Sequence, residues 1–254
     1  MDKVDILGIK VSCLTSKETF EHLVTEINNK RKQFVVTANP EIISYAYKNK
    51  KYLNDIQKAD IITADGIGVV KGAKLLGHNI PERVTGIDIF YDLLKESNNK
   101  RYSIYLLGAE ESILMKTIAN IKKTYPNVNI IGYHHGYFDW NDDETIVNEI
   151  KENKPDLIFV ALGYPLQEQW IARHLEEFNK GVFIGVGGSF DVIAGVVKRA
   201  PKIWQKMNLE WFYRLMKKPT RLKRVMRLPQ FLLILLVQRQ RLRQKVSQKV
   251  EHRL

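Results

Sequence analysis

The sequence has little cysteine and no long hydrophobic run. A single cysteine, Cys13, excludes a disulfide framework and a cysteine-rich metal site. Cys13 lies in the apolar opening segment VDILGIKVSCL, where we expect a core residue of an intracellular protein rather than a reactive thiol. The apolar run FLLILLV has seven residues, far fewer than the roughly 20 that a membrane-spanning helix needs. The start, MDKVDILGIK, does not have the charged-then-apolar pattern of a secretion signal, so we expect a cytoplasmic location.

Two ligand-binding motifs are also missing. No Asp-x-Asp triplet occurs, so a bound diphosphate would be neutralised by Arg, Lys and backbone amides rather than through that metal-holding motif. The stretch GVGGSFD has Gly185, Gly187 and Gly188 after an apolar segment, as a phosphate-cradling turn requires. Its sixth position is Phe190 rather than glycine, and this incomplete fingerprint disfavours NAD. We expect this turn to approach a nucleotide sugar closely, and we group Asp191 with the substrate-binding residues.

Positive charge is concentrated near the C-terminus. The chain carries a net charge of +12. Residues 195–254 contain 17 Lys and Arg against 2 acidic residues, whereas the first 194 contain 23 against 26. Such a segment needs a polyanionic partner: nucleic acid, an anionic membrane or a phosphorylated substrate. Its large apolar residues favour a helix at a membrane surface, although the same helix could pack on its own domain or on a second subunit.

The first part of the chain alternates short β-branched runs with segments of helical period. This pattern predicts an α/β protein with a Rossmann-like open, mainly parallel sheet flanked by helices. A capping box of Thr15 and Glu18 predicts one helix start. We therefore expect a catalytic α/β domain over residues 1–195 and a basic amphipathic helical appendage over 196–254. The predicted strands are Phe34–Thr37, Asp60–Thr63, Tyr102–Leu107, Asn129–Tyr133, Leu157–Ala161 and Val182–Val186.

Polar residues follow several of these strands, where an open parallel sheet forms its ligand crevice. Asp65 comes after the strand DIITA, and its carboxylate is suited to be a general base or, equally, the N-cap of the next helix. Thr37 and Asn39 end the preceding strand, although Asn39 before Pro40 is favoured as a helix cap. In GYPLQEQW, Gln167 heads a helix and either binds substrate or caps it.

The adjacent residues His134 and His135 have no partner at metal-ligand spacing, so we expect surface or core histidines. No metal or redox cofactor is expected.

Several of these stretches resemble one enzyme family. GYPLQEQWIARH, the 31-residue block GVGGSFDVIAGVVKRAPKIWQKMNLEWFYRL, TANPE, TADGIGVV and PERVTGIDI are similar to the WecG/TagA/CpsF glycosyltransferases, and most to the TagA branch. The resemblance covers nearly the whole chain. It implies an inverting transfer of N-acetylmannosamine from its UDP sugar to the 4-hydroxyl of N-acetylglucosamine on undecaprenyl diphosphate, at the inner face of the cell membrane.

The resemblance also implies roles for single residues. Asp65 would be the general base, Thr37 and Asn39 would lie beside the sugar, and Arg83 and Gln167 would place substrate groups. Three tail residues are candidates for the lipid diphosphate: Arg214, Arg221 and Arg224. One displacement with inversion needs a base on the acceptor, opposite the leaving UDP, and positive charge near both diphosphates.

Three alternatives remain open. A sister branch uses UDP-N-acetylmannosaminuronic acid, and the sequence does not show whether Arg83 would meet that carboxylate. The basic tail suggests a nucleic-acid-binding protein, which its apolar residues disfavour. A nicotinamide-dependent oxidoreductase is disfavoured by the incomplete glycine pattern. Self-association through the apolar tail is plausible away from a membrane.

Overall fold

The computed structural model describes residues 1–217, 222 and 226–251, and its centre is a six-stranded parallel sheet. The strands are β3 (Lys32–Ala38), β4 (Ile61–Ala64), β5 (Ser103–Gly108), β6 (Asn129–His134), β7 (Leu157–Ala161) and β8 (Gly181–Gly185). Their order across the sheet is β4-β3-β8-β7-β5-β6, with every neighbouring pair parallel. The predicted Rossmann-like α/β fold is confirmed, because all six predicted strands lie in this sheet.

An antiparallel hairpin precedes the sheet and was not predicted. It consists of β1 (Lys3–Ile6) and β2 (Ile9–Ser12). The turn holds Leu7 and Gly8 at positive φ, and the Gly8 N–H donates to the Asp5 carboxylate at 2.9 Å. Leu-Gly is a weaker hairpin signal than Asn-Gly, so the sequence showed only an apolar segment.

Helices cover both faces of the sheet. They are α1 (Ser16–Asn28), α2 (Pro40–Lys48), α3 (Lys50–Gln57), α4 (Ile67–Leu75), α5 (Gly86–Lys100), α6 (Glu111–Thr124), α7 (Glu144–Asn153), α8 (Leu166–His174) and α9 (Ser189–Ile193). The capping box that starts α1 is confirmed: Thr15 accepts the Glu18 N–H, and the Glu18 carboxylate accepts the Thr15 N–H.

The core lies on both sides of the sheet because strand residues point alternately to the two faces. In β3, Phe34 and Val36 enter one apolar cluster and Val35 enters the other, all three with no exposed surface. Cys13 packs against the first cluster but is only partly buried, and burial raises the pKa of its thiol.

The basic C-terminal part is largely helical where the structure describes it. Its helices are α10 (Lys202–Lys206), α11 (Glu210–Lys217) and α12 (Arg227–Glu251). Helix α12 lies on α2 and α4. Phe231 and Leu235 are fully buried there, and a Cβ added at Gly72 of α4 would lie 2.7 Å from Leu235 Cδ1. Across the described residues, none of the helices is long and apolar enough to cross a membrane.

Candidate active site

Asp65 occupies the turn between β4 and α4, at the carboxyl end of the sheet. Its N–H donates to the Ala38 carbonyl at 2.8 Å, which extends the pairing of β4 with β3 by one residue. Gly66, at φ +119°, then turns the chain into α4 and is the N-cap residue. The Asp65 side chain does not cap α4. Asp65 Oδ2 instead accepts the N–H of Gly86, the first residue of α5, at 3.3 Å.

Thr37 connects three parts of this crevice. Its side chain is buried at the end of β3, and Oγ1 donates to the Gly185 carbonyl at 3.0 Å. A Cβ added at Gly86 would lie 3.0 Å from the same Oγ1. The threonine therefore touches both the end of β8 and the segment whose N–H binds Asp65. Only glycine at position 86 fits this approach without displacing Thr37.

Asn39 is a helix cap, as its position before Pro40 favoured. Asn39 Oδ1 accepts the backbone N–H groups of Glu41 and Ile42, each at 2.9 Å, at the start of α2. This cap fixes where β3 ends and α2 begins. Asn39 Oδ1 is therefore already bonded to the start of α2, and the role of Asn39 beside the sugar stays a prediction.

Gln167 does not cap α8, whose N-cap residue is Pro165. Its buried side chain reaches the glycine turn after β8, where Oε1 accepts the Gly187 N–H at 3.0 Å. Gln167 Nε2 donates to Glu168 Oε1 at 2.7 Å. The interpretation of Gln167 as the cap of α8 was therefore wrong, and its role in substrate binding remains a prediction.

The glycine turn leaves no room for a side chain at Gly185. A Cβ added at Gly185 would lie 2.6 Å from Gln167 Nε2, and Gly187 has a φ of +48°. Asp191, in the short helix α9, places its carboxylate beside Gly188: a Cβ added there would lie 3.5 Å from Asp191 Oδ2. The turn thus brings a closely packed backbone and one carboxylate to the same edge as Asp65.

Arg83 precedes Val84, which is hydrogen-bonded to the end of β4 just before Asp65. The Val84 N–H donates to the Ala64 carbonyl at 3.0 Å, and the Val84 carbonyl accepts the Thr63 hydroxyl at 3.1 Å. Arg83 pairs with Glu210 of α11 at 3.7 Å, and both side chains are largely buried. The basic C-terminal part therefore contacts the crevice itself.

A second ion pair joins the residues after Gly195 to the start of α5. Arg199 donates to the Asp88 carboxylate at 2.6 Å, and Asp88 also accepts the hydroxyl of Thr85, the α5 cap residue. Sequence reasoning missed Asp88, Arg199 and Glu210 because their partners are far away in the chain. For Glu210 alone the sequence offered a signal of a specific partner, because it is one of two acidic residues in a strongly basic segment.

Glu168 is another residue that sequence reasoning missed. It has no exposed surface, and Tyr52 donates to Glu168 Oε2 at 3.0 Å. Burial raises the pKa of the Glu168 carboxyl group. Burial and then the neighbouring Glu168 also raise the pKa of the Tyr52 phenol. Position 168 lies three residues before the buried Ile171, so its helical spacing was the signal that Glu168 faces inward.

The two histidines at the end of β6, His134 and His135, contact each other. His134 Nδ1 lies 2.7 Å from the His135 carbonyl oxygen, and His135 Nδ1 accepts the Tyr137 N–H at 3.2 Å. In the described part of the chain, no group of three His, Cys, Asp or Glu residues is arranged to hold a metal ion.

The three tail arginines cannot be assigned contacts. Arg214 lies on α11, but its side chain is outside the described part of the structure, as are Arg221 and Arg224. A fourth arginine, Arg227, does contact the sheet domain: it pairs with Glu41 at 2.5 Å and donates to the Tyr164 hydroxyl. The role of Arg214, Arg221 and Arg224 at the lipid diphosphate remains a prediction.

Comparisons with known proteins identify the family to which this chain belongs. The model of the "Glycosyl transferase WecG/TagA/CpsF family" matches residues 4–245. Proteins named N-acetylglucosaminyldiphosphoundecaprenol N-acetyl-beta-D-mannosaminyltransferase, from Staphylococcus aureus strains MW2 and NCTC 8325, are each 40% identical over 232 residues. That alignment covers 91% of this chain and 91% of each relative. The protein of the same name from strain MRSA252 has the same identity and coverage.

Proposed function

Because the chain belongs to the WecG/TagA/CpsF family of glycosyl transferases, we propose that it makes an N-acetylmannosaminyl linkage. The donor is UDP-N-acetylmannosamine, and the acceptor is the 4-hydroxyl of N-acetylglucosamine on undecaprenyl diphosphate. The observation that carries this assignment is the 40% identity, over 91% of the chain, to relatives named for that transfer. The product is the linkage unit of wall teichoic acid.

Asp65 is the general base in this proposal. It stands at the carboxyl end of β4, and its backbone is held by Ala38 while its carboxylate accepts the Gly86 N–H. A residue held both at its backbone and at its carboxylate can take the proton from the acceptor hydroxyl as that oxygen attacks the anomeric carbon. UDP leaves from the opposite face, so the transfer inverts the configuration.

The remaining site residues surround the donor in this proposal. The turn containing Gly185 and Gly187 closely approaches the UDP diphosphate in this proposal, with Asp191 next to it. Thr37 and Asn39 lie near the sugar, and Arg83 and Gln167 place substrate groups. Support comes from the hydrogen bonds that join Thr37 and Gln167 to this turn.

The diphosphates are neutralised without a metal ion in this proposal. Support comes from the missing Asp-x-Asp triplet and from the cationic tail. Backbone N–H groups and arginines can stabilise a leaving diphosphate directly. The tail residues assigned to the acceptor diphosphate are Arg214, Arg221 and Arg224.

A transfer assay on a soluble short-chain acceptor analogue tests the donor and the metal together. We expect transfer from UDP-N-acetylmannosamine, with little from UDP-N-acetylmannosaminuronic acid, and an unchanged rate in excess EDTA. Mass spectrometry of the product identifies the sugar transferred. A preference for the uronic acid would reassign the donor. A rate lost in EDTA and restored by magnesium or manganese would disprove metal independence.

We propose that residues 196–254 act as an appendage that binds the inner membrane surface. Helix α12 supports this because it is apolar on two opposite sides. Phe231 and Leu235 face the sheet domain, whereas four other residues of the same helix are 44–63% exposed: Leu232, Leu233, Leu236 and Val237. This outward apolar stripe, within a segment of net charge +15, suits shallow burial among anionic headgroups.

The protein should bind vesicles containing phosphatidylglycerol and be released by high salt, because several basic residues each contribute on the order of 1 kcal/mol. Replacing Leu233 and Leu236 by Ser should weaken binding about tenfold, since less apolar surface is buried. Vesicle co-sedimentation measures both effects.

The matched control for this experiment replaces Tyr47 and Met115, which are similarly exposed on the sheet domain, by Ser. It should bind vesicles like the unmodified chain. If the leucine variant instead bound vesicles normally but sedimented at a lower mass in solution, the outward stripe would join two copies of the chain and not dock on the membrane.

A further inference from the structure

Glu168 is a fully buried carboxyl group for which the proposed chemistry has no direct use. It lies on α8 beside Gln167, and two hydrogen bonds reach its oxygens. Gln167 Nε2 donates to Oε1 at 2.7 Å, and the Tyr52 hydroxyl donates to Oε2 at 3.0 Å. Burying a carboxyl group is costly unless its oxygens receive such bonds.

The Glu168 carboxyl group determines which end of the Gln167 side chain faces the glycine turn. A side-chain amide has an oxygen that accepts and a nitrogen that donates, and the two can exchange places by rotation. Glu168 Oε1 accepts, so the amide nitrogen must face it. If Glu168 is protonated, a proton on Oε2 can be donated to the phenolic oxygen of Tyr52, so Oε1 still accepts.

The Gln167 oxygen is therefore directed at the Gly187 N–H, with which it forms a 3.0 Å hydrogen bond. The reverse orientation would place two acceptors together at Glu168 and two donors together at Gly187. The amide also covers Gly185, where an added Cβ would come within 2.6 Å of its nitrogen. The side chain thus fixes both the position and the conformation of the glycine turn.

This turn is connected to the rest of the site. The Gly185 carbonyl accepts the Thr37 hydroxyl, Thr37 contacts Gly86, and the Gly86 N–H donates to Asp65. A shift of the turn would directly move the backbone assigned to the donor diphosphate. It would affect the general base only indirectly, through Thr37 and Gly86. The expected consequence is weaker donor binding.

We propose that Glu168, held by Tyr52, is a positioning residue that orients the Gln167 amide and so fixes the Gly185–Gly188 turn for the donor diphosphate. This inference rests on the proposed function, because it assumes that the turn binds UDP. Glu168 itself touches no substrate. In this inference Gln167 places substrate groups through its bond to Gly187, and not through a contact of its nitrogen with the sugar.

An exchange of the two side chains tests this proposal. Gln167→Glu alone puts two carboxyl groups about 2.7 Å apart in a buried place, where like charges repel. We expect the dissociation constant of UDP and the KM of the donor to rise together, at least about tenfold, with the acceptor KM unchanged. Calorimetry with UDP and steady-state kinetics measure these quantities.

The double variant Gln167→Glu/Glu168→Gln should restore both values to within about threefold of the original. Glu at position 167 still accepts the Gly187 N–H, and Gln at 168 donates to that carboxylate while its oxygen accepts from Tyr52. Gln169→Glu is the matched control, because it adds the same charge to the same helix at a partly exposed position. It should leave UDP binding unchanged.

Two results would overturn the proposal. One is a double variant that unfolds at the original temperature but binds UDP as weakly as Gln167→Glu, which would show that the Gln167 nitrogen itself contacts substrate. The other is a Gln167→Glu chain with a lowered unfolding temperature and normal UDP binding. A chain that binds UDP but transfers no N-acetylmannosamine would instead refute the proposed donor and leave this comparison intact.

Discussion

An Asp65→Asn chain should fold and bind UDP normally while transferring sugar at least about 10²-fold more slowly. Asparagine has nearly the same shape, and its side-chain oxygen can still accept the Gly86 N–H. The backbone bond to Ala38 and the turn at Gly66 do not depend on the carboxylate. The change therefore removes the proton acceptor while these contacts are kept. Single-turnover transfer rates and UDP calorimetry measure the two expectations.

Asp142→Asn is the matched control, because it is the same change at an exposed loop position before α7. It should transfer at the original rate. If the folded Asp65→Asn chain also kept near-normal turnover, Asp65 would not be the base. Its part would then be to hold the start of α5 through Gly86. The structure already shows that Asp65 is not the cap of α4.

A chain in which Arg214, Arg221 and Arg224 are all replaced by Gln should be nearly inactive, even on a soluble acceptor that needs no membrane. These residues are assigned to the acceptor diphosphate, which carries charge throughout the reaction. Removing three cations from it should weaken acceptor binding and slow transfer together. We expect kcat/KM for the acceptor to fall at least about 10²-fold, with UDP binding unchanged.

The control for this variant replaces Lys202, Lys206 and Lys217, three exposed cations of the same segment, by Gln. The net charge changes equally, so the control should lose vesicle binding to a similar degree but keep its activity on the soluble acceptor. Equal losses of activity in the two variants would mean that only the total charge matters. The arginines would then have no place in the site.

Deleting everything after Gly195 should likewise leave a sheet domain that folds, binds UDP and is nearly inactive. The six strands and most of both core clusters lie before that point. The deletion also removes Phe231 and Leu235 from α4 and Glu210 from Arg83, so the arginine substitutions are the cleaner test. A truncated chain with full activity on the soluble acceptor would reduce the appendage to a tether.

Local features of the fold could be predicted from the sequence because their causes are local. A strand buried on both faces needs a short apolar, β-branched run, and all six such runs are strands of the sheet. Thr15 with Glu18 and Asn39 before Pro40 act within one helical turn, so their capping was visible in the order of residues. The family could also be identified, since the resemblance extends over continuous blocks.

The candidate site was only partly accessible in this way. The positions after strands placed Asp65, Thr37 and Gln167 at the correct edge, because parallel strands end together. Their individual contacts were not readable. Whether Asp65 capped α4, and whether Gln167 capped α8, depended on which backbone N–H lay nearest in space.

Only the tertiary structure decided the contacts between distant parts of the chain. Arg83 meets Glu210, Asp88 meets Arg199, and Tyr52 meets Glu168, each pair more than 100 residues apart. It also decided which side of α12 docks: Phe231 and Leu235 fit against Gly72, while Leu233 faces outward. Composition and period show that a helix is apolar or that a residue is charged. The partner of that surface or charge is set by how the whole chain packs, because such contacts form only when the strand order and helix positions bring the residues together.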